Sequence, residues 1–165
     1  MIKTIKSRRS IRRFKKVPVS DDAIKHAIEA GIWAPSGMNN QPWRFAVIKD
    51  PETKAWLADL TQYGCPLKSA GALIAVFMDN SSSYDRTKDL QAMGACIQNM
   101  LLAIHSIGLG GLWIGEILKN RDKVEKLLGA PDDYELMAIV AMGEPCVCPK
   151  PPKRKQLTDV VFLYK

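Results

Sequence analysis

Two stretches hold the residue types and spacings that could do chemistry. The first is Arg8-Arg9-Ser10-Ile11-Arg12-Arg13-Phe14. In extended backbone, alternate side chains share a face, so Arg8, Ser10 and Arg12 point one way. Two planar guanidinium forks and a short hydroxyl donor make a cradle for a phosphate; a solvated basic arm is the plainer reading. The second stretch is Pro35-Ser36-Gly37-Met38-Asn39-Asn40-Gln41-Pro42-Trp43, in which five polar or glycine residues sit between two prolines. Its amides both donate and accept, which suits the edge of a heteroaromatic ring, although the stretch also reads as a capped turn.

Other chemistries find little support. His26 and His105 lie in helical patterns without an obvious partner, and no Gly-x-Ser-x-Gly or His-Glu-x-x-His occurs. No catalytic side chain is therefore expected. Gly108, Gly110 and Gly111 follow a helix and precede an extended segment, the reverse of a dinucleotide fingerprint, and no Walker loop is present. The cysteines are Cys65, Cys96, Cys146 and Cys148. Only the last two are close, as a lone Cys-x-Cys without the second pair that a zinc site uses. No metal is expected, and the thiols read as free in a reducing cytosol.

The elements that must position these stretches follow from periodicity and punctuation. Ser20-Asp21-Asp22 caps an amphipathic helix over 20–33, with Ile24, Ala27, Ile28 and Ile32 on one face. Pro35, Gly37 and Pro42 force a loop, and 43–48 reads as a buried strand. Asp50-Pro51 opens a helix that runs to about Gln62. The apolar run 72–78 has the character of a central strand. Residues 85–106 form the longest helical pattern, apolar nearly all round in its second half, as expected in a core or at a large interface. A short extended link at 112–114, a helix over 120–128 ended by Gly129, and a strand over 135–142 follow. The Pro- and Lys-rich tail from Cys146 to Lys155 should be extended, and the β-type residues of 157–164 should form a strand that pairs with an edge of this sheet or a partner's. The order predicts an α+β domain over 1–165, a mixed, mainly antiparallel sheet flanked by helices, with 146–165 as an extended arm.

Charge is distributed unevenly. Of 24 Lys and Arg, twelve lie in residues 1–16 and 150–155, while the rest of the chain carries twelve against 17 acids. A basic excess at both ends suggests an anion site or a nucleic-acid footprint. No helix-turn-helix, zinc finger or aromatic-rich basic strand accompanies it, so nucleic acid is not an expected partner. No apolar run approaches the roughly 18 residues of a membrane helix, and residues 1–6 lack a signal-peptide core. A cytoplasmic protein with no membrane partner is expected.

Four segments in register resemble the FMN-dependent nitroreductase family. They are Arg8–Phe14; Ala34-Pro35-Ser36-x-x-Asn39-x-Gln41-Pro42-Trp43; Ile97–Ala103 with Gly108–Gly115; and Gly143-Glu144-Pro145 with Lys153-Arg154-Lys155 and 157–161. The resemblance implies a homodimer with FMN in the subunit interface and a C-terminal strand extending onto the partner. It implies that Arg8, Ser10 and Arg12, with Arg9 adjacent, hold the phosphate and ribityl chain, joined by Arg154 and Lys153 from the tail. Pro35, Ser36, Asn39 and Gln41 would reach the flavin from the other subunit. Trp113, Ile114 and Gly115 would lie along its ring system. The implied activity is reduction of a small electron-poor acceptor, such as a nitroaromatic or quinone, by NADH or NADPH through ping-pong hydride transfer at FMN N5.

The chain departs from the family pattern in two places. No Asn-x-x-Lys contact can be placed between Leu57 and Ser69, and the short link from Asn80 to Lys88 leaves little room for a substrate lid. The same scaffold also suits a flavin-dependent dehydrogenase, oxidase or dehalogenase, or a flavin storage protein. A basic nucleic-acid-binding module is supported by charge alone.

Overall fold

The computed structural model describes residues 1–165. In chain order the elements are α1 (Ile2–Ser7), α2 (Asp21–Ile32), β1 (Trp43–Ile48), α3 (Pro51–Asp59), α4 (Gly64–Ser69), β2 (Ala72–Asp79), α5 (Arg86–Ser106), β3 (Gly110–Ile114), α6 (Arg121–Leu128), β4 (Tyr134–Gly143) and α7 (Leu157–Val160). The strands form one sheet in the order β1-β2-β4-β3, and every neighbouring pair is antiparallel. The only parallel component is a single bridge between Ser10 and Gly111, so the expected mixed sheet is antiparallel with one parallel bridge.

The sheet is buried on both faces because β2 and β4 are apolar at nearly every position. All eight residues of β2 are buried. Alternation sends Ala72, Ile74, Val76 and Met78 to one face, where α2 and α5 supply Ile24, Ala27, Met93, Cys96, Ile97, Met100 and Ile104. It sends Leu73, Ala75 and Phe77 to the other face, against Ile11, Phe14, Leu57, Leu67 and Val124. Each fully buried side chain of this size is worth about 1.5–3 kcal/mol, so these two layers are the main source of stability.

Helix ends follow their local signals. Ser20 Oγ accepts from Ala23 N–H, Asp50 Oδ2 from Thr53 N–H and Asp85 Oδ1 from Lys88 N–H. Gly129 ends α6 at φ +64°, a conformation that glycine adopts without a Cβ penalty. No helix is long and apolar enough to cross a membrane.

Residues 2–7, for which no element was expected, form a short helix. Three expectations need correction. The helix opened by Pro51 stops at Asp59, and α4 follows as a separate helix. β1 is an edge strand, buried only at its two ends, because it has a single neighbour. Residues 157–160 form a helical turn, with no strand in 157–164. Gln156 and Asp159 close a capping box on that turn, and with no sheet edge beside the segment a local hydrogen-bonded turn satisfies its backbone.

Candidate functional site

The N-terminal strip is laid across the end of the sheet by its own alternation. Ile11 and Phe14 are both 4% exposed and turn inward. Ser10 bridges Gly111, Ile11 N–H donates to Gly111 O at 3.1 Å, and Phe14 bridges Pro145. This approach explains the glycines after α5. A methyl group on Gly110 would lie 2.6 Å from Ile11 Cγ1, and one on Gly143 3.2 Å from Phe14 Cδ1. Gly110 serves backbone packing against the strip, not a dinucleotide loop. With Ile11 inward, Ser10 is left half-buried and Arg12 exposed on the outer side. The Ser7 hydroxyl and His105 Nε2, 2.7 Å apart, tie the end of α1 to the end of α5 just before Arg8.

The two basic ends of the chain converge here. The Arg8 guanidinium is held below its ordinary pKa first by burial, then by repulsion from Arg154 and from Arg9. Arg154, from the arm, is thus near enough to Arg8 to repel it within one chain. Arg9 donates to the Lys6 and Arg8 carbonyls, both at 2.7 Å. Arg12 reaches only the Ser10 carbonyl, at 3.5 Å. Lys153 is exposed, and its carbonyl accepts from Arg154. The buried Arg8 Nε has no hydrogen-bond partner, and none of Arg8, Arg9, Arg12 and Arg154 forms an ion pair. Clustered guanidinium groups with an orphaned buried donor fit an anion, and a phosphate matches that donor set.

The second stretch is a strained loop. Met38, Asn39 and Gln41 have φ of 53°, 56° and 47°, values that residues with a Cβ adopt at a cost of order 1–3 kcal/mol and that gather at functional sites. Two devices hold them. Ser36 Oγ accepts from Gln41 N–H at 3.1 Å, closing the loop on itself. Asn40 Nδ2 donates to Asp89 Oδ1 at 2.7 Å and to Ser82 O at 3.1 Å, fixing the loop to α5 and the turn before it. Asp89 is fully buried and also accepts from Ser83 Oγ at 2.6 Å, Tyr84 N–H and Asp85 N–H. Burial works to raise its pKa, but the bonds from Ser83, Asn40, Tyr84 and Asp85 outweigh it and leave the carboxyl below its ordinary range. Asn40 is thus the loop's anchor, while Pro35, Asn39 and Gln41 are exposed and Ser36 is half-buried. The loop is tied to α5, the turn before it and Arg44 of β1, whereas the arginine strip is tied to β3 and the segment just after β4.

Trp113 is 43% exposed while Ile114 is 1% exposed. Ile114 therefore offers only its backbone outward, and Gly115 follows half-buried. Sequence reasoning named no residue between Leu57 and Ser69, yet this segment reaches the same place. Glu116 Oε2 accepts from Thr61 Oγ1 at 2.5 Å and from Gln62 N–H at 3.1 Å. Hydrogen bonds from Lys119 and then Thr61 hold Glu116 below the usual carboxylate range. The available signal was the break between α3 and α4, where Thr61-Gln62-Tyr63 could not remain helical.

Comparison with known proteins fixes the lineage of this arrangement. The family model described as "Nitroreductase family" matches residues 5–64 and 63–144. The chain belongs to the nitroreductase family. A protein of Archaeoglobus fulgidus whose name pairs NADH dehydrogenase with NAD(P)H nitroreductase is 33% identical over 147 residues, covering 87% of this chain and 84% of its own. The crystal structure of a nitroreductase-type protein from Desulfovibrio desulfuricans in complex with FMN superposes with a TM-score of 0.93 at 41% identity, covering 99% of this chain and 96% of that one. The NADPH:FMN oxidoreductase of Vibrio harveyi, solved with NAD+, gives a TM-score of 0.89 at 27% identity, covering 99% and 77%. The antiparallel sheet, the strip across its end and the glycines beneath the strip are thus a nitroreductase fold.

Proposed function

We propose that this chain is an FMN-dependent oxidoreductase that takes electrons from NADH or NADPH and reduces an electron-poor acceptor, a nitroaromatic or a quinone. The observation that carries this reading is the Arg8–Arg9–Arg154 cluster with its orphaned, buried Arg8 Nε. Bound FMN supplies the hydride acceptance and donation that no side chain here could supply.

The residues of the chain bind and orient. Arg8 and Arg154 take the phosphate by charge-assisted bonds, with Arg9 adding positive field and Lys153 beside it. Ser10 and Arg12, on the outer side of the strip, serve the phosphate and ribityl chain. Trp113 and the backbone of Ile114 and Gly115 line the ring system. Pro35, Ser36, Asn39 and Gln41 meet its edge, and the strained loop pre-orients the two amides. No side chain is assigned a proton transfer. Donor and acceptor occupy the same position in turn, a ping-pong order that a shared stacking surface favours.

The working unit in this proposal is a cytoplasmic homodimer of 1–165 with FMN at the interface and 146–165 as the arm. A groove of about 520 Å³ between α1, α2 and α5 is lined by Met1, Ile5, Trp33 and Leu102, and Trp33 is 79% exposed. The arm ends in Phe162 and Tyr164, 99% and 96% exposed. A second subunit covers these surfaces, with 157–164 lying against it. The thiols of Cys65, Cys96, Cys146 and Cys148 are all free, in keeping with a reducing compartment.

The experiment is anaerobic addition of NADH or NADPH to the purified, flavin-loaded protein. Loss of the visible flavin absorbance, restored by a nitroaromatic or quinone, is expected. A flavin spectrum that neither nucleotide bleaches contradicts the reductase reading.

A further inference from the structure

Away from the arginine cluster, a second buried cation lacks a counter-ion. Lys54, on α3, is 9% exposed, yet no carboxylate lies within ion-pair distance of it. Its Nζ donates to the Ala70 carbonyl at 2.9 Å. An ammonium carries three donors, so two remain unused. The neighbouring acid, Asp50, is engaged elsewhere: its Oδ2 accepts from Thr53 N–H and Thr53 Oγ1, both at 2.7 Å, as the cap of α3. Burial holds the Lys54 pKa below the ordinary lysine value, with Asp50 opposing that only in part. Buried charges are normally paired, because an unpaired one loses its hydration without compensation.

The lysine is not sealed in. It lines a cavity of about 460 Å³ between the Val17–Pro18 link, the start of α3 and the end of α4, together with Lys16, Lys49 and Lys68. Lys49 pairs with Asp21 at 2.8 Å and Lys68 with Asp59 at 3.0 Å, both on exposed surface. Such pairs hold their partners by only about 0–1 kcal/mol, so both ammonium groups can turn to a stronger anion. Lys16 is exposed and forms no ion pair. At about 30 Å³ per water, the space holds on the order of fifteen waters, ample for a hydrated oxyanion.

We propose that this cavity is a second anion site, which binds a phosphate group through Lys54 and Lys16 with Lys49 and Lys68 at its rim. The donor set selects the class. Four lysines and no carboxylate line the cavity, so its charge favours a dianion over a singly charged carboxylate. Separate ammonium point charges suit a tetrahedral dianion with oxygens on all sides. None of the lining residues belongs to the Arg8–Arg9–Arg154 cluster, so the site is independent of the flavin assignment.

The test is a titration of the full chain with inorganic phosphate at constant ionic strength, followed through backbone amide NMR shifts, with chloride as control. Because the Arg8 cluster also attracts phosphate, the FMN-loaded protein and the Arg8→Met variant are titrated side by side. Saturable shifts at Val17, Lys54 and Gly71 are expected in both. Lys54→Met should weaken the apparent Kd at least 10-fold, and Lys16→Gln several-fold. Should Lys54→Met not fold, the exposed Lys16→Gln carries the same test. A parallel titration with adenosine monophosphate separates the sources: tighter binding than phosphate assigns a phosphate ester, weaker binding the free ion. Shifts that do not saturate, that chloride reproduces, that survive both lysine substitutions, or that vanish in Arg8→Met overturn the proposal.

Discussion

Replacing Arg8 by Met should move cofactor affinity and apoprotein stability in opposite directions. Methionine keeps an unbranched apolar stem in the half-buried position and removes the guanidinium. In the folded chain that group is buried enough to lower its pKa and stands against two like charges, Arg154 and Arg9. Its Nε has no partner to lose. Removing it therefore relieves repulsion and desolvation, and the apoprotein should melt at the same or a higher temperature. Binding of FMN should suffer, since a hydrogen bond to a charged group contributes about 1.5–3 kcal/mol. That is roughly a 10- to 150-fold rise in Kd. Quenching of FMN fluorescence on titration into apoprotein gives the Kd, and a thermal melt of the apoprotein gives the stability. An apoprotein that melts lower while its FMN affinity is unchanged would refute the reasoning and make Arg8 a structural residue.

Further outcomes follow from the same geometry. Gly110→Ala places a methyl group 2.6 Å from Ile11 Cγ1; overpacking of this kind costs about 1–3 kcal/mol, and because the displaced strip carries Ser10 and Arg12, urea unfolding and FMN affinity should both weaken. Asp89→Ala leaves the buried Asn40 amide and the Ser83 hydroxyl without their acceptor, so a loss of about 2–4 kcal/mol is expected in chemical denaturation, at a few kcal/mol per unsatisfied set. Asp79 is held low by the Ser81 hydroxyl first, Glu135 by Arg86 first, and Asp89 by its four donors against burial. Groups depressed in the folded state stabilise above their unfolded values, so melting temperature should be level above about pH 5 and fall as pH drops through about 4; a flat profile to pH 3 would contradict the three assignments. Deleting 150–165 removes Arg154 and the exposed Phe162 and Tyr164, and should weaken both FMN binding and the dimer by light scattering; a truncated chain that stays yellow and dimeric would contradict the role given to the arm.

Much of this fold is legible where local chemistry and tertiary demand agree. The capped start of α2, Pro51 at the head of α3, the uninterrupted apolar β2 and Gly129 after α6 are each decided by neighbours in sequence. The outward placement of Ser10 and Arg12 is legible for the same reason: Ile11 between them is driven into the core. What was hidden depends on partners distant in sequence. Nothing near Asn40 says that its amide serves Asp89, 49 residues away, while its neighbours Asn39 and Gln41 stay exposed. Glu116 reaches back to Thr61 across 55 residues, so the middle segment could not be placed from sequence. The strand expected over 157–164 rests on β-type side chains, whose preference is realised only beside a sheet edge. With no edge beside it in one chain, the capping box at Gln156 and Asp159 decides for a helical turn.

The central claim is that charge at both ends of the chain is gathered for one phosphate. It is tested most directly by comparing FMN with riboflavin, which carries the same ring system and side chain without the phosphate. FMN should bind the apoprotein roughly 100-fold or more tightly, the scale of two charge-assisted hydrogen bonds, and that preference should collapse toward unity when Arg8 and Arg154 are both replaced. Equal affinities for the two flavins in the unaltered protein would show that the arginine cluster serves something other than the cofactor.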